Sequence, residues 1–581
     1  YFGDDKIVGI SITLPKADYH VYIPFGHRTG EQQLNEVDVI SALKSRLESP
    51  SLKKVLHNAK FDIHMFYQHG IELKGLAWDT LVAMHLLNEN EPSFALKVLA
   101  TKYLKEPSDT YEVLFGKTPF YEVPLDVALV YAGKDTHLTW RLYQFQLKHF
   151  QKLPGILRYY REVENRIVLV SVEMERTGFV LDIDMARKMK NQLITEIDEV
   201  TEELKKELGD INFNSPVQLS AVLFDKLKLH RHLPPGYKLS TDVKTLKLLA
   251  PHNKGCELLL KYREKMKLLS TYVEALPKQI KKDGRVHGSF NQSGTVTGRF
   301  SSNNPNLQNQ PKYARTLFVA PEGMIILGGD FSQQEPRLLA HFSGEEALIE
   351  AYRNGQDLYS TMASKVFNVP IEECGDGSKY RKMMKFGVLS VMYGTSAKTL
   401  AGQLGITEAE AELFIEDFYR TFPKVAKWIE GNKEFARKHG FVWMLDQLRK
   451  RRLPQMRSRD KWERFRAERQ ATNAIIQGSA AIQTKKTMIA LSDWCAEKRA
   501  NGRPFYMVAT VHDEVLLYAP QDITREEVEE FRDIMVNTVK LAVPNKTDIE
   551  LMVRWGEGYT VDAWFNGGRE ECLQKEGRMA A

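Results

Sequence analysis

The sequence is poor in cysteine and contains no long apolar run. Four cysteines are scattered over 581 residues, without the CxxC or Cys–His spacing that zinc sites use. This scarcity argues against a disulfide framework and a zinc site, and it favours a reducing compartment. No stretch approaches the ~18 consecutive apolar residues that a membrane span requires, and the first residues do not resemble a signal peptide. We therefore expect no membrane partner.

The net charge is small for the whole chain but large in one segment. The chain carries +6, whereas residues 449–469 contain ten basic and three acidic residues and reach +7. Most charge runs are solvated faces or loops, but ten cations interleaved with Trp462 and Phe465 also suit a polyanion, whose neutralised phosphates release counterions. We favour nucleic acid as the partner of this segment. Its basic residues are Arg449, Lys450, Arg451, Arg452, Arg457, Arg459, Lys461, Arg464, Arg466 and Arg469, and its acids are Asp460, Glu463 and Glu468.

The length of 581 residues suggests roughly four domains. Residues 1–150 alternate strand-like runs, at 7–14 and 19–24, with helical ones, as an α/β domain does. A long amphipathic helix follows, and Ser215-Pro216 predicts the start of another. After residue 283, strand-like runs flank a helical block that ends near residue 505, which indicates a sheet interrupted by a helical insertion. The apolar positions of the long helix are Met185, Met189, Leu193, Ile197, Val200, Leu204 and Leu208.

Two aspartates follow apolar runs in the two halves of that sheet. Asp330 follows the run 324–327, and Asp513 lies inside a strand–turn–strand pattern at 505–518. Either one alone fits a helix cap or a turn residue. As a pair they suit divalent-metal phosphoryl transfer, in which carboxylates hold ions ~4 Å apart. The two are 183 residues apart, so the sequence leaves open whether they meet.

A candidate phosphate-binding helix lies between the two aspartates. Arg381, Lys385, Leu389 and Tyr393 are spaced by four residues and share one helical face. Arg and Lys one turn apart can clamp a triphosphate, and Tyr393 beside Gly394 can stack on a base. An amphipathic helix with its basic residues in water fits the spacing equally well.

Several segments resemble, in order, the motifs of the family A DNA polymerases, the relatives of bacterial DNA polymerase I. Residues 330–337 (Asp-Phe-Ser-Gln-Gln-Glu-Pro-Arg) resemble motif A, residues 381–394 motif B, and residues 511–514 (Val-His-Asp-Glu) motif C. Further similar segments flank these motifs and extend back towards the thumb. They are residues 213–219, 268–272, 297–302, 306–309 and 468–480.

The resemblance implies a multidomain fold of the α/β and α+β classes. A right-hand polymerase of palm, fingers and thumb would follow an RNase H-like (DnaQ-type) 3′–5′ exonuclease domain that lacks its first strand. The implied activity is template-directed DNA synthesis, with dNTPs added to a primer 3′-hydroxyl and pyrophosphate released, in replication or repair. The implied domains are 1–150 (exonuclease-like), 151–272 (thumb with a linker helix), 273–333 (palm, first part), 334–507 (fingers) and 508–581 (palm, second part, and C-terminal tail).

The resemblance also implies a role for each motif residue. Asp330 and Asp513 would bind two Mg²⁺ ions, with Mn²⁺ as the alternative, and Glu514 would support that site. Lys385, with Arg381, would hold the dNTP phosphates and is a candidate general acid for pyrophosphate. Glu335 matches the steric gate against a ribose 2′-hydroxyl, and Tyr393 matches the template-base position. Gln333 and Leu389 would also border the dNTP. The residues that match primer–template contacts are Arg299, Arg469, Asn473, Gln477 and His512.

Some positions depart from the family pattern. Leu389 stands where Phe or Tyr is usual, so discrimination against dideoxynucleotides is left open. None of the departures removes an implied metal ligand or phosphate-binding cation, and together they indicate a divergent branch of phage, plasmid or organellar origin. The remaining departures are Val388, Ser390, Gln334, Pro336 and Ile475.

The N-terminal region resembles two of the three motifs of the DnaQ-like proofreading exonucleases. Residues 58–62 are similar to the second motif and residues 131–135 to the third. The first motif, Asp-x-Glu, is expected just upstream of Tyr1, because the nearest acids, Asp4 and Asp5, precede what resembles the second strand of that fold. The implied exonuclease residues are Asn58, Asp62, Tyr131 and Asp135.

Two interpretations fit the missing first motif. Either the sequence is truncated within an active parent, or an exonuclease fold persists without its metal site. Retention of the second and third motifs favours truncation. For the chain as printed we expect weak or absent proofreading.

Two other functions compete with DNA synthesis. A nuclease that grips DNA with the rest of the chain would need the missing Asp-x-Glu. A catalytically silent DNA-binding subunit of a replisome should have lost Asp330, Asp513 or Lys385, which are all present. Single-subunit RNA polymerases share the palm, but Glu335 speaks against them. We expect a monomer that binds primer–template DNA and dNTPs in the cytoplasm of a bacterial or phage-infected cell, with an organelle as the alternative.

Overall fold

The fold is taken from a computed structural model that describes residues 5–578. Tyr1 and Asp4, which bear on the missing exonuclease motif, lie outside the described residues. Among residues 5–578 no helix is both long enough and apolar enough to cross a membrane.

The N-terminal unit is a small α/β structure. Strands β1 (Gly9–Leu14) and β2 (Tyr19–Pro24) pair antiparallel, which confirms both predicted strands. Strands β3 (Lys54–Leu56) and β4 (Leu76–Asp79) form a separate parallel pair. The helices of this unit are α1 (Glu36–Leu47), α2 (Ala59–Gln68), α3 (Thr80–Leu87), α4 (Leu96–Leu99), α5 (Tyr111–Phe115) and α6 (Leu125–Phe150).

The next region is helical, as the apolar pattern predicts. Its elements are α7 (Pro154–Tyr159), α8 (Asn165–Thr177), β5 (Phe179–Leu181), α9 (Ile183–Leu208), α10 (Pro216–Ser220), α11 (Val243–Leu249) and α12 (Lys254–Lys267). Helix α9 contains all seven apolar positions of the pattern, and five of them are buried, several against α12. Ser215 caps α10 as predicted, because its hydroxyl accepts from the Gln218 N–H at 3.4 Å.

Short strands lead into a long central one. They are β6 (Arg285–Val286), β7 (Ser289–Asn291), β8 (Ser301–Asn303) and β9 (Phe318–Val319), with helix α13 (Lys312–Arg315) before β9 and β10 (Met324–Phe331) after it. Strand β5 pairs with both β6 and β9, and β7 pairs with β8. The chain therefore returns from the helical region to the edge of the central sheet before β10 begins.

A large helical insertion follows β10. It contains α14 (Gln334–Ser343), α15 (Glu346–Arg353), α16 (Leu358–Phe367), α17 (Lys379–Met392), α18 (Ala397–Leu404), α19 (Glu408–Thr421), α20 (Pro423–His439), the hairpin β11 (Phe441–Trp443) and β12 (Lys450–Arg452), and the 40-residue α21 (Lys461–Ala500). Pro336 lies in the first turn of α14, where its missing N–H costs nothing. The buried Gln334 amide ties α14 to α21 by donating to the Ala480 carbonyl and the Thr484 hydroxyl.

The chain then completes the central sheet. The last elements are β13 (Tyr506–Val511), β14 (Glu514–Pro520), α22 (Arg525–Asn537), β15 (Thr547–Met552), β16 (Tyr559–Thr560), α23 (Val561–Ala563) and α24 (Arg569–Lys575). The strand order is β13-β14-β10-β15-β16, all antiparallel. This confirms the predicted sheet interrupted by a helical insertion, because β10 before the insertion pairs with β14 after it.

A buried ion-pair cluster joins the region around α8 to the helical insertion. The Glu164 carboxylate accepts from Lys485 Nζ at 2.9 and 3.0 Å and from Arg449 Nη1 at 3.2 Å. The Gln292 amide donates to the same carboxylate, and Arg449 also contacts the His85 ring. Burial alone would raise the pKa of Glu164, but Lys485 and Arg449 outweigh it and hold that pKa below its usual value.

The same contacts correct part of the nucleic-acid interpretation of residues 449–469. Arg449 and Arg451 are buried, and Arg451 and Arg452 both pair with Glu89 of the N-terminal unit. The assignment of these three arginines to a polyanion is therefore wrong, because they pair with acidic side chains of the protein itself. Periodicity and composition could not show this, since the acids lie more than 280 residues away in sequence.

We expect Lys485→Met to destabilise the protein by about 3–5 kcal/mol, because it leaves part of a buried carboxylate unpaired. Lys486→Met is the matched control, because Lys486 is half-buried and forms no ion pair within residues 5–578. We expect this variant to change the free energy of unfolding by no more than about 0.5 kcal/mol. Urea unfolding followed by circular dichroism measures both. Equal stability of the two variants would contradict the role of the cluster.

Candidate active site

The two aspartates predicted to work together meet at one end of the central sheet. Asp330 is the seventh residue of β10 and lies opposite Glu514 of β14. Asp513 sits in the two-residue turn between β13 and β14, and its carbonyl accepts from the Phe331 N–H at 3.1 Å. His512, the other turn residue, has a φ of 57°. The hairpin predicted from the sequence is thus confirmed, and it brings Asp513 beside Asp330.

The carboxylates in this cleft repel one another. Partial burial, reinforced by Asp513 and by Asp548 and Glu550 of β15, raises the pKa of Asp330 to about 6. Burial, reinforced by Asp330, raises the pKa of Glu514 to about 7. Burial also raises the pKa of Asp513. A site in which several carboxylates share little positive charge favours a bound cation.

Asp548 and Glu550 were not found by sequence reasoning. On β15 they alternate with buried Thr547 and Ile549, and Asp548 lies directly opposite Asp330. In the sequence, this alternation of acidic and buried residues could have indicated a strand with both acids on one face. Arg315 was missed as well. Its positive charge opposes, but does not cancel, the rise in the pKa values of Asp330 and Glu514.

The donor set fits Mg²⁺ held jointly with a substrate. Within residues 5–578 no three His, Cys, Asp or Glu side chains converge to form a closed metal cage. Mg²⁺ is usually bound by one or two carboxylates together with substrate phosphates and water, and all of these ligands are oxygens. Asp330, which is open to solvent, and Asp513 match that pattern.

Glu335 links the carboxylate cleft to the helical insertion. It lies in the first turn of α14 and is 8% exposed. Its carboxylate pairs with Arg299 and accepts from the Tyr393 hydroxyl, and Arg299 also lies 3.9 Å from the Asp513 carboxylate. Burial and Glu335 raise the pKa of Tyr393. The structure therefore joins Arg299, Glu335, Tyr393 and Asp513, which the sequence spreads over more than 200 residues.

The two predicted phosphate-binding cations of helix α17 differ in their ion pairing. Arg381 donates from Nε and Nη2 to the two Asp357 oxygens at 2.9 and 3.0 Å, and its Nη1 lies 2.8 Å from Asp376. Lys385, one turn later, is exposed and forms no ion pair within the described residues. Sequence reasoning missed Asp357, which also caps α16.

The remaining dNTP-site residues lie around the same cleft. The Gln333 amide oxygen accepts from the Tyr352 hydroxyl at 3.0 Å. Leu389 is half-buried on α17, packed against the apolar core of the insertion. Tyr393 is the C-cap residue of α17, and Gly394 follows with a φ of 62°. A Cβ at Gly394 would lie 2.9 Å from Arg469 Cγ, so this close approach of α17 to α21 requires glycine.

Helix α21 brings three of the predicted DNA contacts onto one face. Arg469, Asn473 and Gln477 are one turn apart. Gln477 lies beside the Tyr393 side chain. Asn473 Oδ1 is buried and accepts no hydrogen bond within residues 5–578, so it is available to a ligand.

The exonuclease-like residues form a less complete site. Burial and Asp79 raise the pKa of Asp62 to about 7, and the Asn58 N–H donates to Asp79. Tyr131 and Asp135 lie one turn apart on α6, as predicted. Buried Lys97 places its Nζ 2.5 Å from Asp135 Oδ1 and 4.3 Å from the Tyr131 ring centre. The Lys97 ammonium would therefore compete with a metal ion for this oxygen of Asp135.

Solved structures and curated proteins resemble this chain over most of its length. A solved structure that matches is the polymerase domain of Pol1 from M. smegmatis in complex with DNA primer-template and dNTP. It is 30% identical, with a TM-score of 0.83 over 95% of this chain and 94% of that one. The DNA polymerase I of Chloroflexus aurantiacus is 36% identical over 95% of this chain and 59% of its own length. That of Bacillus subtilis is 34% identical over 95% of this chain and 62% of its own.

The chain therefore spans about three fifths of the length of these curated relatives. A family model described as 3′–5′ exonuclease matches residues 3–149, in agreement with the fold expected for the N-terminal unit. The model described as DNA polymerase family A matches residues 183–557, well over half of the sequence. The chain belongs to DNA polymerase family A.

Proposed function

We propose that the chain carries out template-directed DNA synthesis, adding dNTPs to a primer 3′-hydroxyl with release of pyrophosphate. The observation that carries this proposal is the meeting of Asp330 and Asp513 at the end of the sheet, in a chain that belongs to DNA polymerase family A. The matching Pol1 structure holds primer-template and dNTP, which supports the same two partners here. The nuclease and silent-subunit alternatives are not favoured.

In this mechanism the residues of the cleft bind and orient the substrates. Two Mg²⁺ ions held by Asp330 and Asp513, or Mn²⁺ in their place, would activate the 3′-hydroxyl and stabilise the leaving pyrophosphate. Lys385, which forms no ion pair among residues 5–578, can hold the triphosphate and protonate pyrophosphate. Arg381 must share its donors with Asp357 and Asp376, so a triphosphate has to compete with these acids.

The remaining roles follow the same geometry. Glu335, clamped by Arg299 and Tyr393, is proposed as the steric gate against ribose, and Glu514 as support for the metal site. We also propose the domain division into an exonuclease-like domain, thumb, first palm segment, fingers, and second palm segment with tail. The bounds are 1–150, 151–272, 273–333, 334–507 and 508–581. Strand β13 begins at Tyr506, two residues before the last of these segments, so this boundary falls within a strand.

We expect Asp513→Ala to reduce primer extension with dNTPs and Mg²⁺ at least about a thousandfold, or about 4 kcal/mol of transition-state stabilisation. The matched control is Asp522→Ala, an exposed aspartate beyond the other end of β14, which should extend the primer at the rate of the unmodified chain. Gel-resolved extension of a primed template measures both. The proposal fails if the Asp513 variant and the unmodified chain extend equally, or if neither extends.

We expect Glu335→Ala to raise the ratio of rNTP to dNTP incorporation by roughly 10- to 200-fold, because it removes the side-chain volume that would meet a 2′-hydroxyl. Glu335→Gln keeps that volume and should keep most of the discrimination. Single-turnover incorporation of one rNTP and its matching dNTP measures the ratio. An unchanged ratio in the alanine variant would rule out the gate.

For the N-terminal unit we propose weak or absent proofreading in the chain as printed. Lys97 neutralises Asp135, and a metal ion on that carboxylate would have to displace it. We expect removal of a mismatched primer 3′-nucleotide, with Mg²⁺ and without dNTPs, to be no faster than by an Asp62→Ala/Asp135→Ala double variant. Faster removal by the unmodified chain would show that the site is active despite Lys97.

A further inference from the structure

The exposed end of α21 carries an unusual combination of side chains. Among the aromatic residues that the structure describes, Trp462 is the most exposed, at 77%, and Phe465 one turn later is 40% exposed. Their ring centres lie 6.3 Å apart at an angle of 71°, and Lys461 Nζ lies 5.3 Å from the Phe465 centre. Tryptophan normally stabilises a protein by burying its apolar surface, and an indole that remains in water does not make this contribution. Its position therefore suits a ligand with flat apolar faces.

The surrounding charge is positive and largely free. Arg457, Arg459 and Arg466 are exposed and form no ion pair within residues 5–578. Arg464 instead donates to the Ser458 and Arg459 carbonyls at 2.8 and 3.0 Å and so shapes the turn before the helix. These free arginines differ from Arg449, Arg451 and Arg452 of the same charge run, which are neutralised by buried acids. The part of the run available to a polyanion is residues 457–466.

This end of α21 is aligned with the proposed active site. Trp462, Phe465, Arg466 and Arg469 lie at helical spacings of three and four, and the same stripe continues through Asn473 to Gln477. Gln477 lies beside Tyr393, the proposed template-base residue. Trp462 precedes Gln477 by fifteen residues, or about 22 Å along the helix axis. A strand that leaves Tyr393 along this stripe would reach the aromatic pair within several nucleotides.

We propose that Trp462 and Phe465, with Arg457, Arg459, Lys461 and Arg466, form a platform for the unpaired template strand ahead of the primer end. Aromatic side chains flanked by cations are the usual means of holding single-stranded nucleic acid without reading its sequence. In a primer–template only the template bases beyond the primer end are unpaired and have faces free to stack. The platform is distinct from the contacts of Arg469, Asn473 and Gln477 near the growing end, and the inference rests on the proposed function.

The test compares two DNA ligands that share one duplex. The first has a 12-nucleotide 5′ template overhang, and the second is blunt. Fluorescence anisotropy without dNTPs gives the affinity of each. Trp462→Ala should weaken binding of the overhang DNA about tenfold, the loss of one stacked base, and leave binding of the blunt duplex unchanged. Trp462→Phe should recover most of the loss, since it restores an aromatic face.

Matched controls separate stacking from general effects. Tyr19→Ala removes another exposed aromatic side chain, on β2 of the N-terminal unit, and should change neither affinity. Arg459→Gln should lower the slope of log affinity against log salt for the overhang DNA by about one. Equal loss on both ligands, or no loss on either, for Trp462→Ala would overturn the platform. Primer extension by the unmodified chain tests the proposed function separately, so a working polymerase with an indifferent Trp462 would refute this inference alone.

Discussion

The pairing of β10 with β14 is the constraint on which the active site depends. The two strands are antiparallel from Met324 opposite Pro520 to Asp330 opposite Glu514, although the whole helical insertion separates them in sequence. This pairing determines where the β13–β14 turn lies, and it places Asp513 beside Phe331. A slip of one residue would turn Asp330 to the opposite face of the sheet. There Phe531 packs so closely against Gly329 that even a Cβ would overlap it.

This long-range pairing explains what the sequence could and could not predict. The Asp513 hairpin and α9 are local features, and turn chemistry or an apolar period sufficed to predict them. The meeting of Asp330 and Asp513 depends on strand pairing across 183 residues, and only resemblance to a known family suggested it. Asp548 and Glu550 carried a readable alternation, but nothing local connected that strand with Asp330.

Charge was the property for which the sequence misled most. A run of ten basic residues suggests one continuous charged surface. In the structure, arginines in its first part pair with buried acids, whereas arginines in its second part are exposed to solvent. Arg449 and Arg451 are neutralised by Glu164 and Glu89 in the interior, whereas Arg457 and Arg459 remain in water. The partners of a buried arginine can lie anywhere in the chain, so composition within a window cannot separate the two cases.

The contacts of Glu89 and His85 bear on how this chain could be dissected. Both residues belong to the N-terminal unit, and they hold Arg451, Arg452 and Arg449 of the helical insertion. A fragment that begins after residue 150 would keep the three arginines but lose Glu89 and His85. Arg449 would still pair with Glu164, whereas Arg451 and Arg452 would lose the carboxylate that both contact. The N-terminal unit thus supplies partners for charged side chains of the helical insertion, whether or not it cleaves DNA. In such a fragment Arg451 and Arg452 are therefore the side chains to replace by neutral ones, and Arg449 is the one to keep.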